Sequence, residues 1–336
     1  MKKYTLNLSM EELEMRTDKD HLITKKFLKA DAPEYLALAD GDKKALKHLV
    51  KAANILEKIN MQLDNSDNLP FKAFLEEEIA KGNKQAELTK ILFDAQKGIN
   101  ALDSMSNPIF LAEEVPGRPG KGVYPDDLTK EEFHKILVKM LLDGKSDDVR
   151  KILNQRSVVE RHGEELVGID YIDKFKEDFA KMADELEQAA QTSTNEDFNE
   201  YLRLQVKALR VADPMLDAEA DKKWATLQDT PLEFTITREN YADELTGTVV
   251  ENVELKALLD ENRISPIPKD FLGGRVGIVN KKGTEALMAI KKYLPTLAKN
   301  MPYNDEYEQN IKPDEDTKQT MVDVDMVQAA GDVGEY

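Results

Sequence analysis

Apolar residues recur at steps of three and four along most of the chain before Trp224. This spacing predicts amphipathic helices, the first of them from about 33 to 64. Its apolar stripe consists of Leu46, Leu49, Ala53, Leu56 and Leu63. Further helices are predicted over 70–102 with a break at 81–83, 171–192, 196–211 and 214–227. The first part of the chain is therefore expected to be mainly helical.

Local signals indicate one more helix and a hairpin. Thr129 followed by Glu132 has the form of a capping box, which predicts a helix start at this point. The segment 157–171 alternates around a glycine, which predicts a β-hairpin that turns near His162 and Gly163.

The pattern changes after Trp224. Short β-branched runs are separated by Pro, Gly and Asn, which favours strands, and one clear helix is predicted among them at about 283–298. The predicted strands are LEFTIT (232–237), TGTVVENVEL (246–255), RVGIVNK (275–281) and TMVDVDMVQ (320–328). The fold class expected from these elements is α+β, helix-rich, with a small and mostly antiparallel sheet.

A Pro- and Gly-rich piece at 113–128 interrupts all regular structure. It suggests a division into an N-terminal helical region, 1–112, and a second region, 113–336, that holds further helices and the β core.

Charge and composition exclude several classes of function. The 336 residues contain 47 Lys and Arg against 65 Asp and Glu, a net charge of -18, with no basic patch that would attract a nucleic acid or an anionic membrane. The chain has no cysteine, which removes disulfides and thiolate metal sites. The N-terminus lacks the apolar core of a signal peptide and no apolar run could span a membrane, so a cytoplasmic protein is expected.

Motif spacing alone specifies no complete active site. None of the four histidines has another histidine at metal-ligand spacing, and neither a phosphate-binding glycine motif nor a serine-nucleophile motif is present. His48 and His134 are expected to have surface or packing roles, and His162 is expected to lie in a turn.

Several segments nevertheless resemble one known family. RENYADELTG (238–247) is similar to the Glu-x-Tyr-x-Asp element of the dipeptidyl peptidase III family of zinc metallopeptidases, bacterial type. KGVYPDDLTKEEF (121–133), SVVERHGEELVGIDY (157–171) and VGIVNKKGTEALMAIKKYLPTLAKNMP (276–302) resemble other family segments in the same order. The resemblance covers about 115–300 well and the N-terminal helices more loosely, and it implies a β-barrel-like core at the centre of the helix-rich lobe.

The resemblance also implies roles for residues at the end of the strand LEFTIT. In the family, the Glu of the Glu-x-Tyr element holds the free amine of a bound peptide, and the Tyr bonds near the scissile carbonyl; these positions are Glu239 and Tyr241 here. Asn240 and Asp243 are expected to support them, which gives a substrate-binding set of Glu239, Asn240, Tyr241 and Asp243 with Tyr241 as the catalytic group. A carboxylate suits an ammonium, and a phenol can donate to a developing oxyanion.

The family's zinc motif, H-E-x-x-G-H, does not occur in this sequence. The region that resembles the family is its N-terminal portion without zinc, so the zinc lobe is expected to be absent from this chain and no zinc is expected to be bound. Whether the chain is itself an enzyme stays open at this point. The expected partners are short peptides with a free N-terminus, and an exposed cleft wall is expected to favour self-association.

Three interpretations remain at the level of sequence. The chain is the peptide-binding lobe of a dipeptidyl peptidase III-like enzyme that removes dipeptides from short peptides, seen without its zinc lobe. Alternatively, it is a stand-alone peptide-binding protein that has lost hydrolysis. The third alternative is a helical interaction protein with no ligand site.

Overall fold

A computed structural model gives the arrangement of most of the chain. It describes residues 3–20, 22, 27–103, 105, 107–115, 117–211, 214–227, 229–240, 243–293, 296–297, 300, 302 and 322–331. Helices dominate up to Trp224. They are α1 (Met10–Arg16), α2 (Pro33–Leu36), α3 (Asp40–Asp64), α4 (Asn68–Ala80), α5 (Lys84–Gln96), α6 (Lys130–Leu142), α7 (Ser146–Ile152), α8 (Tyr171–Lys174), α9 (Lys176–Thr192), α10 (Glu196–Val211) and α11 (Pro214–Trp224).

The strands form three small antiparallel sheets within the described residues. The first pairs β1 (Asn100–Leu102) with β2 (Pro108–Phe110), and the second is the hairpin of β3 (Ser157–His162) and β4 (Glu165–Asp170). The third has β6 (Phe271–Val279) between β5 (Leu232–Glu239) and β7 (Val324–Ala330). Two more helices, α12 (Val253–Glu261) and α13 (Lys281–Lys291), lie before and after β6 in the chain. The predicted α+β class is confirmed.

The expected barrel-like core is wrong for the described residues. The sheet of β5, β6 and β7 is open, with β5 and β7 as its two edges, and the other two sheets have only two strands each. Its central strand packs directly on α3, the longest helix. A Cβ added at Gly274 would lie 2.6 Å from Leu56 Cδ1 and 3.0 Å from the Thr235 carbonyl oxygen, so a glycine permits this close approach. A helix laid on one face covers the sheet without closing it.

The segment 246–255 was predicted as a strand and is helical instead. Residues Thr246–Glu251 form a 3₁₀ helix, and α12 follows it. The Asn252 side chain caps α12 by accepting from the Leu255 amide at 3.0 Å, and within the 3₁₀ helix the Thr248 hydroxyl donates to the Leu245 carbonyl at 2.7 Å. Such local bonds offset the β preference of the valines.

Other predicted elements agree more closely. The hairpin at 157–171 is confirmed, and Gly163 in its turn has φ +65°, which suits glycine. Thr129 accepts from the Glu132 amide at 3.2 Å and starts α6, but the Glu132 carboxylate pairs with Arg161 at 2.8 Å rather than closing the capping box. The helix predicted at 283–298 begins at Lys281.

Two hydrophobic clusters lie along the chain. The larger joins α3, the helices α6 to α10 and the sheet of β5, β6 and β7, and the smaller joins α4 and α5 with residues near Tyr4, Ile109 and Val115. Helix α3 contributes Leu56 to the larger cluster and Met61 to the smaller one. The predicted boundary near 112 stays a prediction. None of the described helices is long and apolar enough to cross a membrane.

Candidate functional site

The predicted amine-binding carboxylate lies at the end of an edge strand. Glu239 is the last residue of β5, opposite Phe271 of β6, and both Glu239 and the following Asn240 are exposed. Within the described part of the chain the Glu239 carboxylate has no ion-pair partner. The neighbouring Arg238 is already engaged, since its guanidinium donates to Asp217 at 2.7 Å. Glu239 is therefore available to an external cation.

Alternation along β5 places Glu239 and Arg238 on opposite faces of the sheet. Phe234, Ile236 and Arg238 share the face that packs toward α3, and Phe234 and Ile236 are buried there. Glu239 shares the other face with Thr237 and Glu233. A ligand held by Glu239 would thus contact the sheet on the side away from α3.

Asp243 is buried and its two carboxylate oxygens are occupied. Oδ1 accepts from the backbone amides of Leu245 and Thr246 at 3.0 Å each, and Oδ2 accepts from the Thr246 hydroxyl and from the Lys269 amide at 2.9 Å. The carboxylate therefore fixes the segment that follows β5. Its predicted part in substrate binding stays a prediction, and Tyr241 lies outside the described residues.

Thr246 links Asp243 to a buried tyrosine. Because the Thr246 hydroxyl donates to Asp243, the Tyr124 hydroxyl is the donor in its 2.5 Å bond to Thr246. Burial and the nearby Asp243 raise the pKa of Tyr124, which keeps its proton in place. The segment 120–124 and the segment after β5 are thereby held together.

Lys269 lies at the centre of the same region and is fully buried. Its ammonium donates to the carbonyls of Ile152 at 2.5 Å and Asn154 at 2.8 Å and to the Ser157 hydroxyl at 2.7 Å, and it lies 5.3 Å from the Tyr124 ring centroid. Burial lowers its pKa to about 7, while Asp243 acts in the opposite direction. The lysine ties the loop before β6 to the start of the β3–β4 hairpin.

A charged cluster lies beside these residues, on the α3 side of the sheet. Asp217 of α11 pairs with both Arg238 and Arg156, and Arg156 also contacts Asp270 at 3.3 Å. All four side chains are at most 19% exposed. Burial raises the pKa of Asp270, while Arg156 opposes that shift. The cluster holds the end of β5 against α11 and the β3 segment.

Arg156, Asp217 and Arg238 of this cluster form one wall of a cavity of about 520 Å³. Helices α9 and α10 and the ends of β5 and β6 supply an apolar lining that includes Phe179, Met182, Leu209, Ile236 and Leu272. A volume of this size falls in the range of pockets that hold small ligands or side chains. The cavity lies on the α3 face of the sheet, so Glu239 does not contribute to it.

The described residues include no group of three or more His, Asp or Glu that could hold a metal ion. His48 pairs with Glu185 at 2.6 Å, and His134 is buried with its Nε2 2.9 Å from the Thr248 hydroxyl. These contacts agree with the packing roles predicted for both. His162 is exposed at the hairpin turn, as predicted, and His21 lies outside the described residues. The described residues therefore do not fit a zinc site.

Comparison with solved structures identifies the fold. The structure of dipeptidyl peptidase III from Caldithrix abyssi matches 89% of this chain with a TM-score of 0.68 at 24% sequence identity. That of dipeptidyl-peptidase III from Corallococcus sp. strain EGB matches 96% with a TM-score of 0.64 at 18% identity. The chain has a dipeptidyl peptidase III fold. No protein-family model and no curated protein sequence matches it.

The match extends over only part of the dipeptidyl peptidase III chains. This chain spans 50% of the Caldithrix abyssi protein and 52% of the Corallococcus protein, which is about half the length of each. The resemblance seen in the sequence is thus confirmed as a likeness of fold.

Within this dipeptidyl peptidase III fold, sequence reasoning found some of the residues around β5 and missed others. Glu239, Asn240 and Asp243 lie within one short stretch, but the first two are exposed and the third is buried. Lys269, Arg156 and Asp217 went unnoticed because they are far apart in sequence and belong to no motif. The only local signal for Lys269 is its position between Ile267-Pro268 and Phe271, where an apolar context surrounds a lysine.

Proposed function

We propose that this chain is the peptide-holding portion of a dipeptidyl peptidase III-like zinc peptidase, which removes dipeptides from the N-termini of short peptides. The fold likeness and the motifs at 121–133, 157–171 and 238–247 support the proposal. Neither the sequence motif H-E-x-x-G-H nor a fitting cluster among the described residues is available to hold zinc. The proposal therefore assigns peptide binding to this chain, and no hydrolytic step.

The exposed carboxylate of Glu239, which has no ion-pair partner among the described residues, carries the proposal. Glu239 would accept hydrogen bonds from the ammonium of a peptide, and a charge-assisted bond of this kind contributes about 1.5–3 kcal/mol. Pairing with β6 fixes the backbone of Glu239, so the point from which its side chain extends is set before a ligand arrives. Tyr241 follows two residues later in the sequence, and the proposal assigns to it the hydrogen bond near the scissile carbonyl.

The buried Asp243 would support the residues around Glu239 through hydrogen bonds to the backbone. Its bonds to the amides of Leu245, Thr246 and Lys269 hold residues 243–246 in place, while pairing with β6 holds the end of β5. Both restraints limit the positions that Asn240, next to the end of β5, can take. The proposed role of Asp243 is thus to position its neighbours, and it needs no direct contact with the peptide.

Titration with a tetrapeptide tests the proposal directly. The chain should bind a tetrapeptide with a free N-terminus, and N-acetylation of the peptide should weaken binding roughly tenfold or more because the ammonium is lost. Glu239→Gln should weaken binding of the free peptide by a similar factor and leave binding of the acetylated peptide unchanged. Isothermal titration calorimetry measures both.

Glu244→Gln is the matched control, because Glu244 is also an exposed carboxylate a few residues further on. It should bind the free peptide as tightly as the unaltered chain does. Equal binding of free and acetylated peptides would refute the assignment of Glu239 to the amine. Absence of peptide binding altogether would favour the helical interaction protein.

A further inference from the structure

The cavity of about 520 Å³ on the α3 face of the sheet has an exposed mouth and a buried apolar floor. Val211 and Ile267 line it and are 61% and 42% exposed, so solvent reaches it between the end of α10 and the loop before β6. Leu56, Phe179 and Leu272 also line it and are at most 6% exposed. The cavity can therefore admit a small molecule whose apolar part is removed from water.

One wall of this cavity carries guanidinium groups with spare hydrogen-bond donors. A guanidinium has five N–H donors. Within the described part of the chain, the Arg238 side chain donates only through Nη2, to Asp217. Arg156 donates through Nε to Asp270 and pairs through Nη1 with Asp217, so its Nη2 has no acceptor there. Because both arginine side chains are at most 19% exposed, the cavity that they line is where their remaining donors can meet an acceptor.

The charges around the cavity favour an anion over a cation. The charged lining consists of two aspartates and three arginines, Asp170, Asp217, Arg150, Arg156 and Arg238. It thus has no net negative charge, even when Asp270 beside Arg156 is counted, although the whole chain has a net charge of -18. Arg150 donates to two backbone carbonyls just after α12, at 2.9 and 3.1 Å, so neutral acceptors hold it. Both carboxylate oxygens of Asp217 already face guanidinium groups, which leaves them less suited to a ligand ammonium.

We propose that this cavity binds a small carboxylate with an apolar body, such as an alkanoate or an arylalkanoate. The ligand carboxylate accepts hydrogen bonds from Arg238 and Arg156, and the apolar body packs on Phe179, Met182 and Leu209. A carboxylate matches the fork of guanidinium donors, and such charge-assisted bonds are stronger than those to a neutral acceptor. Glu239 lies on the opposite face of the sheet, so the inference goes beyond the proposed peptide binding and does not rest on it.

Isothermal titration calorimetry of the full chain with octanoate tests the proposal. Octanoate should bind at one site and at least roughly tenfold more tightly than octan-1-ol, which has the same chain without the charge. Octylammonium and acetate should both bind more weakly than octanoate, because the first offers no acceptor to the guanidinium groups and the second has no apolar body. Octanoate that bound no more tightly than octan-1-ol would overturn the proposal.

Three variants locate the binding in the cavity. Arg238→Lys keeps a positive charge beside Asp217 but removes the fork of donors, and it should weaken octanoate binding roughly tenfold. Val211→Trp should weaken it at least roughly tenfold by blocking the mouth, whereas Val253→Trp should not change it, since Val253 is 84% exposed and does not line the cavity. Equal binding of octanoate by the two tryptophan variants would overturn the proposal, whatever the result for Arg238→Lys.

A peptide that ends in an apolar residue presents the same chemistry as an alkanoate. N-acetyl-leucyl-leucine, which has a C-terminal carboxylate and no free amine, distinguishes the two sources. It should bind more tightly than octanoate if the cavity takes such a peptide end, and more weakly if it takes a free alkanoate. Glu239→Gln should leave octanoate binding unchanged, so a failure of this proposal is distinct from a failure of the amine-binding test.

Discussion

The backbone amide of Lys269 donates to Asp243 Oδ2 at 2.9 Å, so the loop before β6 holds the segment that follows β5. Asp243 is buried and accepts three further hydrogen bonds from Leu245 and Thr246. Asp243→Ala leaves these donors unpaired, and we expect it to lower the free energy of unfolding by about 2–4 kcal/mol. Urea denaturation followed by circular dichroism measures the change.

Glu244→Ala is the control for that prediction. Glu244 is the next residue and is exposed, so its replacement should change the free energy of unfolding by less than about 0.5 kcal/mol. If Asp243→Ala were as stable as Glu244→Ala, the buried carboxylate would not hold the segment as inferred.

Stability should depend on pH through Lys269. Burial lowers its pKa in the folded chain to about 7, whereas the unfolded chain keeps the ordinary value of 10.5. Between these values the unfolded state binds more protons, so this lysine makes stability rise with pH, by up to about 1.4 kcal/mol per pH unit. Below about pH 7 both states are protonated and this contribution is constant.

Lys269→Met should abolish that slope. Urea denaturation of the two chains from about pH 7 to about pH 10 gives the difference in slope directly, and comparison within each chain removes any constant effect of the substitution. Lys256→Met is the control, because Lys256 is exposed and forms a surface pair with Asp260. Parallel curves for the unaltered chain and Lys269→Met would show that the lysine keeps its ordinary pKa in the fold.

Helices and the hairpin were predictable because their signals are local. The apolar stripe of α3, the cap of α6 and the turn at Gly163 each depend on residues within a few positions of one another. The segment 246–255 was mispredicted because its three valines favour a strand, while Asn252 caps α12 and the Thr248 hydroxyl bonds to the Leu245 carbonyl. These local side-chain bonds outweighed the β preference there.

The sheet and the surroundings of Glu239 depend on contacts distant in sequence. The pairing of β5 with β6 and β7 leaves the sheet open, and no local pattern shows whether three strands close into a barrel. The position of Glu239 at a strand end followed from alternation and motif. Its separation from the cavity by the plane of the sheet, and the burial of Lys269 against Ile152 and Ser157, required the tertiary structure.

Removal of the carboxylate shared by Arg156 and Arg238 should be strongly destabilising. Asp217 is 9% exposed, and its loss would leave two largely buried guanidinium groups without their common partner. We expect Asp217→Ala to lower the free energy of unfolding by about 3–5 kcal/mol. Asp184→Ala is the control, since Asp184 is 75% exposed in its pair with Arg210 and should cost no more than about 1 kcal/mol. Equal losses in the free energy of unfolding for the two variants would mean that Asp217 does not stabilise the fold through its shared pairs with Arg156 and Arg238.

The single tryptophan provides an optical test of a second buried acid. The Trp224 indole donates to Glu233 at 2.7 Å, and burial raises the pKa of Glu233 to about 7 while the indole opposes that shift. Tryptophan fluorescence of the native chain should therefore titrate with a midpoint near pH 7. Glu233→Gln should remove this transition, and the exposed Glu244→Gln should retain it.

The raised pKa of Glu233 also makes the stability of the fold depend on pH, in the direction opposite to the effect of Lys269. Because the folded chain keeps the Glu233 proton up to about pH 7 and the unfolded chain releases it near 4.5, the folded state binds more protons between these values. This contribution to stability therefore falls as pH rises through that window, by about 3 kcal/mol in total. Glu233→Gln should flatten this decline in the free energy of unfolding, which urea denaturation at a series of pH values measures. Glu233 would be ionised throughout this pH range if two results were found together. The first is a decline in the stability of Glu233→Gln equal to that of the unaltered chain, and the second is native fluorescence that does not titrate near pH 7.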